Sequence, residues 1–199
     1  MLEHIGEQVR QEITKLNFVA MAGGYTEPIL RDDNGVERIY PAARPWPNAP
    51  CGSDEQYVNM APHDGAGCIA FVDSLEGVEI VGGTAKYTDV QTIFRVVVWY
   101  DEAQLLFGDQ IKTGLAIANE VIKAVRRVDF ITPGIVSARA TFYASTNNPD
   151  AIWGRYGMGL DDRALFMAPY RTLAVLFKFQ ARYLPDCFCP EIITVEKTC

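Results

Sequence analysis

The chain has 199 residues, 49% of them hydrophobic, with a formal charge of −7 and a pI near 4.9. That length suffices for one sizeable core, and the hydrophobic content excludes a disordered chain. The acidic balance argues against tight nucleic-acid binding through a basic face, because affinity for phosphate comes mainly from Lys and Arg.

No run approaches the roughly 20 apolar residues that cross a bilayer, and the first twelve residues are too polar for a signal peptide. A protein made in cytoplasm is expected, with no membrane partner. Cys51, Cys68, Cys187, Cys189 and Cys199 are odd in number and unpatterned in spacing, so reduced thiols, some of them buried, are expected rather than a disulfide framework. Cys187-Phe188-Cys189 is the only close pair and the only histidines are His4 and His63, so the paired spacings that zinc sites commonly use are missing. No metal and no cofactor is expected.

In chain order, Leu2, Ile5, Val9, Ile13, Leu16 and Ala20 recur at three- and four-residue spacings, which predicts an N-terminal packing helix closed by Gly23-Gly24. His4 falls in its exposed first turn, and reads as a surface residue. Asp32-Asp33-Asn34-Gly35 between apolar flanks predicts a short hairpin, since Asn-Gly tolerates positive φ. After it, Pro41, Pro45, Pro47, Pro50 and Pro62 remove backbone donors, so residues 25–62 read as an extended Pro-rich arm around the stiff Arg44-Pro45-Trp46-Pro47.

Residues 67–73 read as a strand with little solvent on either side, Cys68, Ala70 and Val72 facing one way and Ile69 and Phe71 the other. Val78 to Val81 is a short strand, Gly82-Gly83 a flexible turn, and Lys86 to Tyr100 a long strand antiparallel to it. On the long strand Thr92, Phe94, Val96, Val98 and Tyr100 share a core face, and Gln91, Ile93, Arg95, Val97 and Trp99 a mixed one. One long central helix follows from Asp109 to Val128, burying Ile111, Leu115, Ala118, Ile122 and Val125, with Gly114 inside it.

Ile135 to Ala144 is strand-like, with Val136, Ala138, Ala140 and Phe142 on one face. Residues 145–170 form a second loop insertion in which glycines alternate with Trp153, Tyr156 and Met158. Arg171 to Tyr183 is the clearest amphipathic strand, burying Leu173, Val175, Phe177, Phe179, Ala181 and Tyr183. The reading is a single α+β domain over 1–199: a mixed, mainly antiparallel sheet packed against an N-terminal helix and one long central helix, with long loop insertions.

This order of an N-terminal helix, a hairpin with a long second strand (Lys86 to Tyr100), one amphipathic helix (Asp109 to Val128) and a long last strand (Arg171 to Tyr183) resembles the tail-terminator and tail-completion proteins of tailed bacteriophages. The resemblance covers most of the chain, with the two insertions as departures. It implies a virion structural protein assembled in the bacterial host cytoplasm: a homo-oligomeric neck ring between portal or connector and tail proteins. DNA would pass through its lumen without sequence-specific binding, and no catalysis is implied. The two insertions would grip adjoining copies, with Arg44, Trp46, Trp153, Tyr156, Asp161, Asp162 and Arg163 as the subunit-interface candidates. An acidic chain suits a channel in which DNA must slide. The alternative is a small-ligand-binding or hydrolytic α+β domain using Asp161, Asp162 and Arg163, with His63-Asp64 nearby; adjacent aspartates on a strand face opposite ways, which weakens that reading. A host regulatory binding module is the third.

Overall fold

The computed structural model describes residues 1–33, 35–45, 57–61, 66–107, 110–111, 114–132, 134–157 and 169–184. Helix α1 (Leu2–Ile13) leads into β1 (Met21–Asp33), β2 (Val36–Ala43) and β3 (Val58–Asn59). Next come β4 (Cys68–Ser74), β5 (Glu79–Thr84) and β6 (Tyr87–Asp101), then a two-residue pair, β7 (Leu106–Phe107) and β8 (Gln110–Ile111). Helix α2 (Gly114–Arg126), β9 (Ile135–Thr146), α3 (Pro149–Trp153), a 3-10 turn (Gly154–Tyr156) and β10 (Tyr170–Tyr183) complete the described elements.

Strands account for about half of the structure, which corrects the expected fold class. An eight-stranded mixed sheet runs β3-β2-β1-β4-β6-β10-β9, with β5 also on β6, and all three helices are short. Among the described residues there is no long central helix: α2 spans Gly114–Arg126, and Asp109 lies outside them. The extra strands come largely from the stretch read as a Pro-rich arm. Pro28 pairs opposite Pro41 in the β1–β2 hairpin, so both missing donors fall on one rung and the ladder continues on either side. The turn itself follows its residues, with Gly35 at φ 82° and its N–H donating to Asp32 Oδ1 at 2.6 Å.

The alternation read in the central strands divides two cores. Cys68, Ala70, Val72, Phe94, Val96, Val98, Leu173, Val175 and Phe177 face α1 and α2. Ile69, Phe71, Val97, Trp99 and Ala174 face the other way, against Met60, Ile152, Trp153 and Tyr156. Every residue of β4 is buried. The face of β6 read as mixed is therefore also covered from Arg95 onward.

Four details differ from the expectation. Helix α2 buries Ile117, Ala118, Val121, Ala124 and Val125, and leaves Leu115 74% exposed; its apolar band is wide enough to fit two phases, and packing on the sheet selects one. Gly114 opens α2 rather than weakening its interior, and a β-carbon there would come 3.3 Å from the Tyr100 hydroxyl. Strand β9 is an exposed edge, because register shifts at Val136 and Tyr143 break its alternation and leave Val136 and Phe142 partly in solvent. Gly82-Gly83 belongs to β5 rather than to a turn.

Gly23-Gly24 lies inside β1, not at the end of α1, which stops at Ile13 with Thr14 as its cap. A β-carbon at Gly23 would come 2.6 Å from Sδ of Met60, which is fully buried. Gly6 of α1 allows a similar approach: a β-carbon there would clash with the Tyr25 backbone nitrogen and sit 2.7 Å from its Cβ. In an ordinary helix interior, Gly→Ala stabilises by about 1 kcal/mol. Gly6→Ala is expected to reverse that sign, costing about 1–3 kcal/mol through overpacking against β1, as urea denaturation will measure.

Cys68 is a buried free thiol, and burial pushes it from an ordinary value of 9.0 up to about 12. A raised folded value favours the fold at pH below 9, and that contribution fades as pH climbs from 9 towards 12. Site-resolved mass spectrometry with an alkylating reagent at pH 8 is expected to leave Cys68 unmodified until the chain unfolds.

Candidate subunit interface

The second core is closed by a charged cluster that sequence reading did not single out. Asp73 on β4 and Arg95 on β6 are cross-strand partners, both on the face that α3 covers. Arg95 donates to Asp73 Oδ2 from Nε at 3.1 Å and from Nη2 at 2.7 Å. Its remaining donors reach the carbonyls of Ala151, at 2.9 Å, and Ile152, at 2.8 Å, in the last turn of α3. A guanidinium thus satisfies helix carbonyls that have no partner within the helix.

Arg155 donates to Asp73 Oδ1 and to the Ser74 carbonyl, and the Tyr156 hydroxyl donates to Asp73 Oδ2 at 3.0 Å. Burial first, and the Asp73 carboxylate second, push the Tyr156 phenol far up, so it stays a donor. Trp153 Nε1 donates to Thr172 Oγ1 at 3.2 Å. The cluster is a clamp for residues 149–157: its groups are consumed by one another, and Asp73 and Arg95 are closed off from solvent.

Two of the expected interface anchors are therefore corrected. Trp153 and Tyr156 are each 1% exposed, packed against Phe71 and Trp99 in their own chain's second core, and offer nothing to a neighbour. Arg44 is exposed and makes a two-point ion pair with Glu3 of α1, at 3.0 and 2.9 Å. Trp46, Asp161, Asp162 and Arg163 lie outside the described residues, as do His63, Asp64, Cys51, Cys187, Cys189 and Cys199.

One cavity, of about 630 Å³, opens between the start of α2 and the adjoining ends of β6, β9 and β10, lined by Tyr100, Leu115, Ser145 and Leu173 with the Glu102–Arg171 ion pair at its side. Its lining holds hydrogen-bonding groups but neither histidine nor cysteine. Among the described residues no cluster has the ligands for a metal ion, and no helix is long and apolar enough to cross a membrane.

The surface left unfinished by the fold is the far end of the sheet. There β5, β6, β10 and β9 lie side by side, all antiparallel, with β5 and β9 as outer strands. All of β5 is exposed, Ile80 by 74%, and among the described residues neither β5 nor β9 pairs on its outer side. Apolar side chains crowd both edges: Val78 and Ile80 on one, Val136 and Tyr143 on the other. Open, apolar strand edges are pairing surfaces unless something blocks them.

No protein-family model and no curated protein matches this sequence.

Removing Asp73 would strand Arg95 as an unpaired buried charge, a loss typically worth about 3–5 kcal/mol. Asp73→Ala is expected to lower stability on that scale in urea titration and to expose residues 149–157 to hydrogen exchange. Asp89→Ala, which breaks the exposed pair with Arg182, is expected to change little.

Proposed function

We propose that this protein is a structural subunit that builds a homo-oligomeric ring, in the neck or tail-completion position of a tailed bacteriophage particle. The observation that carries the reading is the sheet end bounded by two open, apolar strand edges, β5 and β9. A ring needs two different adhesive surfaces on each copy, since head-to-tail contacts close into a circle when the rotation per copy allows it. Opposite edges of one sheet supply such a pair. The order of elements behind the resemblance supports the phage assignment: α1, the long strand β6, α2 and the long strand β10 follow one another along the chain.

The means of gripping differs from the expectation. Residues 149–157 are spent inside their own subunit, and the strand edges take over the role that Trp153 and Tyr156 were expected to play. Portal or connector and tail proteins would stack on the two faces of the ring, DNA would run through the lumen, and the net charge of −7 would let it slide.

Purified protein is expected to run well above monomer mass in multi-angle light scattering and to show rings in negative-stain electron microscopy, with an opening wide enough for duplex DNA. A strict monomer at high concentration, alone and with portal and tail proteins added, would overturn the reading. Portal, capsid and tail genes beside the coding sequence are expected as well.

A further inference from the structure

A row of polar side chains crosses the open end of the sheet in register. Glu79 on β5 pairs with Gln91 on β6, Gln91 with Gln180 on β10, and Gln180 with Arg139 on β9. Hydrogen bonds run along it, from Gln91 Nε2 to Glu79 Oε2 at 3.1 Å and from Arg139 Nη2 to Gln180 Oε1 at 3.0 Å. The row ends in a carboxylate at one open edge and a guanidinium at the other. On the opposite face the next row is apolar: Ile80, Val90, Ala181 and Ala138. It too has unlike ends, a bulky exposed isoleucine and a small alanine.

We infer that copies of this chain join by antiparallel pairing of β9 of one with β5 of the next, in the register that sets Arg139 opposite Glu79. Strand direction agrees. Because β5, β6, β10 and β9 alternate, the β5 of a copy in the same orientation meets β9 antiparallel, the more stable pairing. The faces agree as well. With Arg139 opposite Glu79, Ala138 falls opposite Ile80 and Ala140 opposite Val78, so two exposed apolar side chains are covered by small ones. Self-pairing is disfavoured by the same charges: two β9 edges bring guanidinium towards guanidinium, and two β5 edges bring carboxylate towards carboxylate. The contact is therefore heterologous, which deepens the ring reading on which it rests. Each copy adds four strands at about 4.8 Å, an advance of about 19 Å at the radius of this sheet.

The test is a charge exchange. Glu79 and Arg139 are both exposed, so Glu79→Arg and Arg139→Glu are expected to melt at the temperature of the parent protein, which circular dichroism will check. Each variant alone places like charges across every contact, and is expected to need about tenfold more protein for half-assembly in light scattering. Mixing the two one-to-one restores an opposite pair at every contact, and assembly is expected to return to the parent level. The double variant should do the same by itself. Ile80→Lys, on the apolar face, is expected to weaken assembly without rescue by either charge variant. A parent protein that assembles while both single variants assemble equally well would overturn this register and leave the ring reading standing. A parent protein that never assembles would overturn the ring reading itself.

Discussion

Asp73 carries a negative charge at a place water does not reach, and that charge has to be met from within. It is met from three directions, by Arg95 across the sheet and by Arg155 and Tyr156 from the turn after α3. Because Arg95 spends its other donors on the carbonyls ending α3, the cluster holds that helix down on the sheet. With α3 in place, Ile152, Trp153 and Tyr156 cover Phe71, Val97 and Trp99. The centre of the sheet is thereby buried on both faces. Buried ion networks add little net stability over apolar packing, but they tolerate few geometries, and this one commits residues 149–157 to a single position.

That commitment decides which part of the molecule is available to others. Helices α1 and α2 take one face of the sheet, α3 and the β2–β3 segment take the other, and both coverings thin out towards the end where β5 lies. Leu30, Leu115 and Ile131 are exposed elsewhere on the molecule, but Val78, Ile80, Val136 and Tyr143 lie on or beside strand edges whose backbone, among the described residues, is also open. The ring proposal therefore places its contacts on two strands of one sheet, and strands held in a ladder are more precise platforms than loops.

The residues announced the strands better than the way they are joined. Cys68 to Asp73 alternate between the two cores as expected, and the buried face of Leu173 to Tyr183 is also as expected. The other face of that strand, read as exposed, is buried at Thr172 and at Ala174, the latter in the second core. The short hairpin expected around Asn34-Gly35 is there, but prolines at 28 and 41 hid the length of its strands, since a missing donor reads as a break unless the opposite residue is known to lack one too. The phase of α2 was undecided by its own residues, because Leu115, Ile117, Val121 and Ile122 offer more apolar surface than the sheet can cover. Trp153 and Tyr156 among glycines suggested an inserting loop, and they do insert, into their own subunit. The cue to the clamp was present: Asp73 after the apolar run from Cys68, and Arg95 inside the apolar run from Ile93 to Tyr100, must find partners. Nothing in the order of residues could place Glu79 in line with Arg139, because that alignment runs through three pairings between distant segments.

An open strand edge is ordinarily a hazard, and chains blunt it with charge, bulges or a covering element. Here each edge carries one charge, Glu79 at the start of β5 and Arg139 within β9, and its ladder is interrupted, at Val81 in β5 and at Val136 and Tyr143 in β9. A lone charge on an edge repels copies of that same edge, while leaving the edge receptive to one bearing the opposite sign. The shifts confine regular pairing to a short stretch, so a strand arriving in another register meets an interrupted ladder. In the proposed pairing, the devices that protect a monomer from indiscriminate aggregation are the same ones that would admit a single partner, the opposite edge of another copy. A sheet finished this way would behave as a link with a hook at one side and an eye at the other.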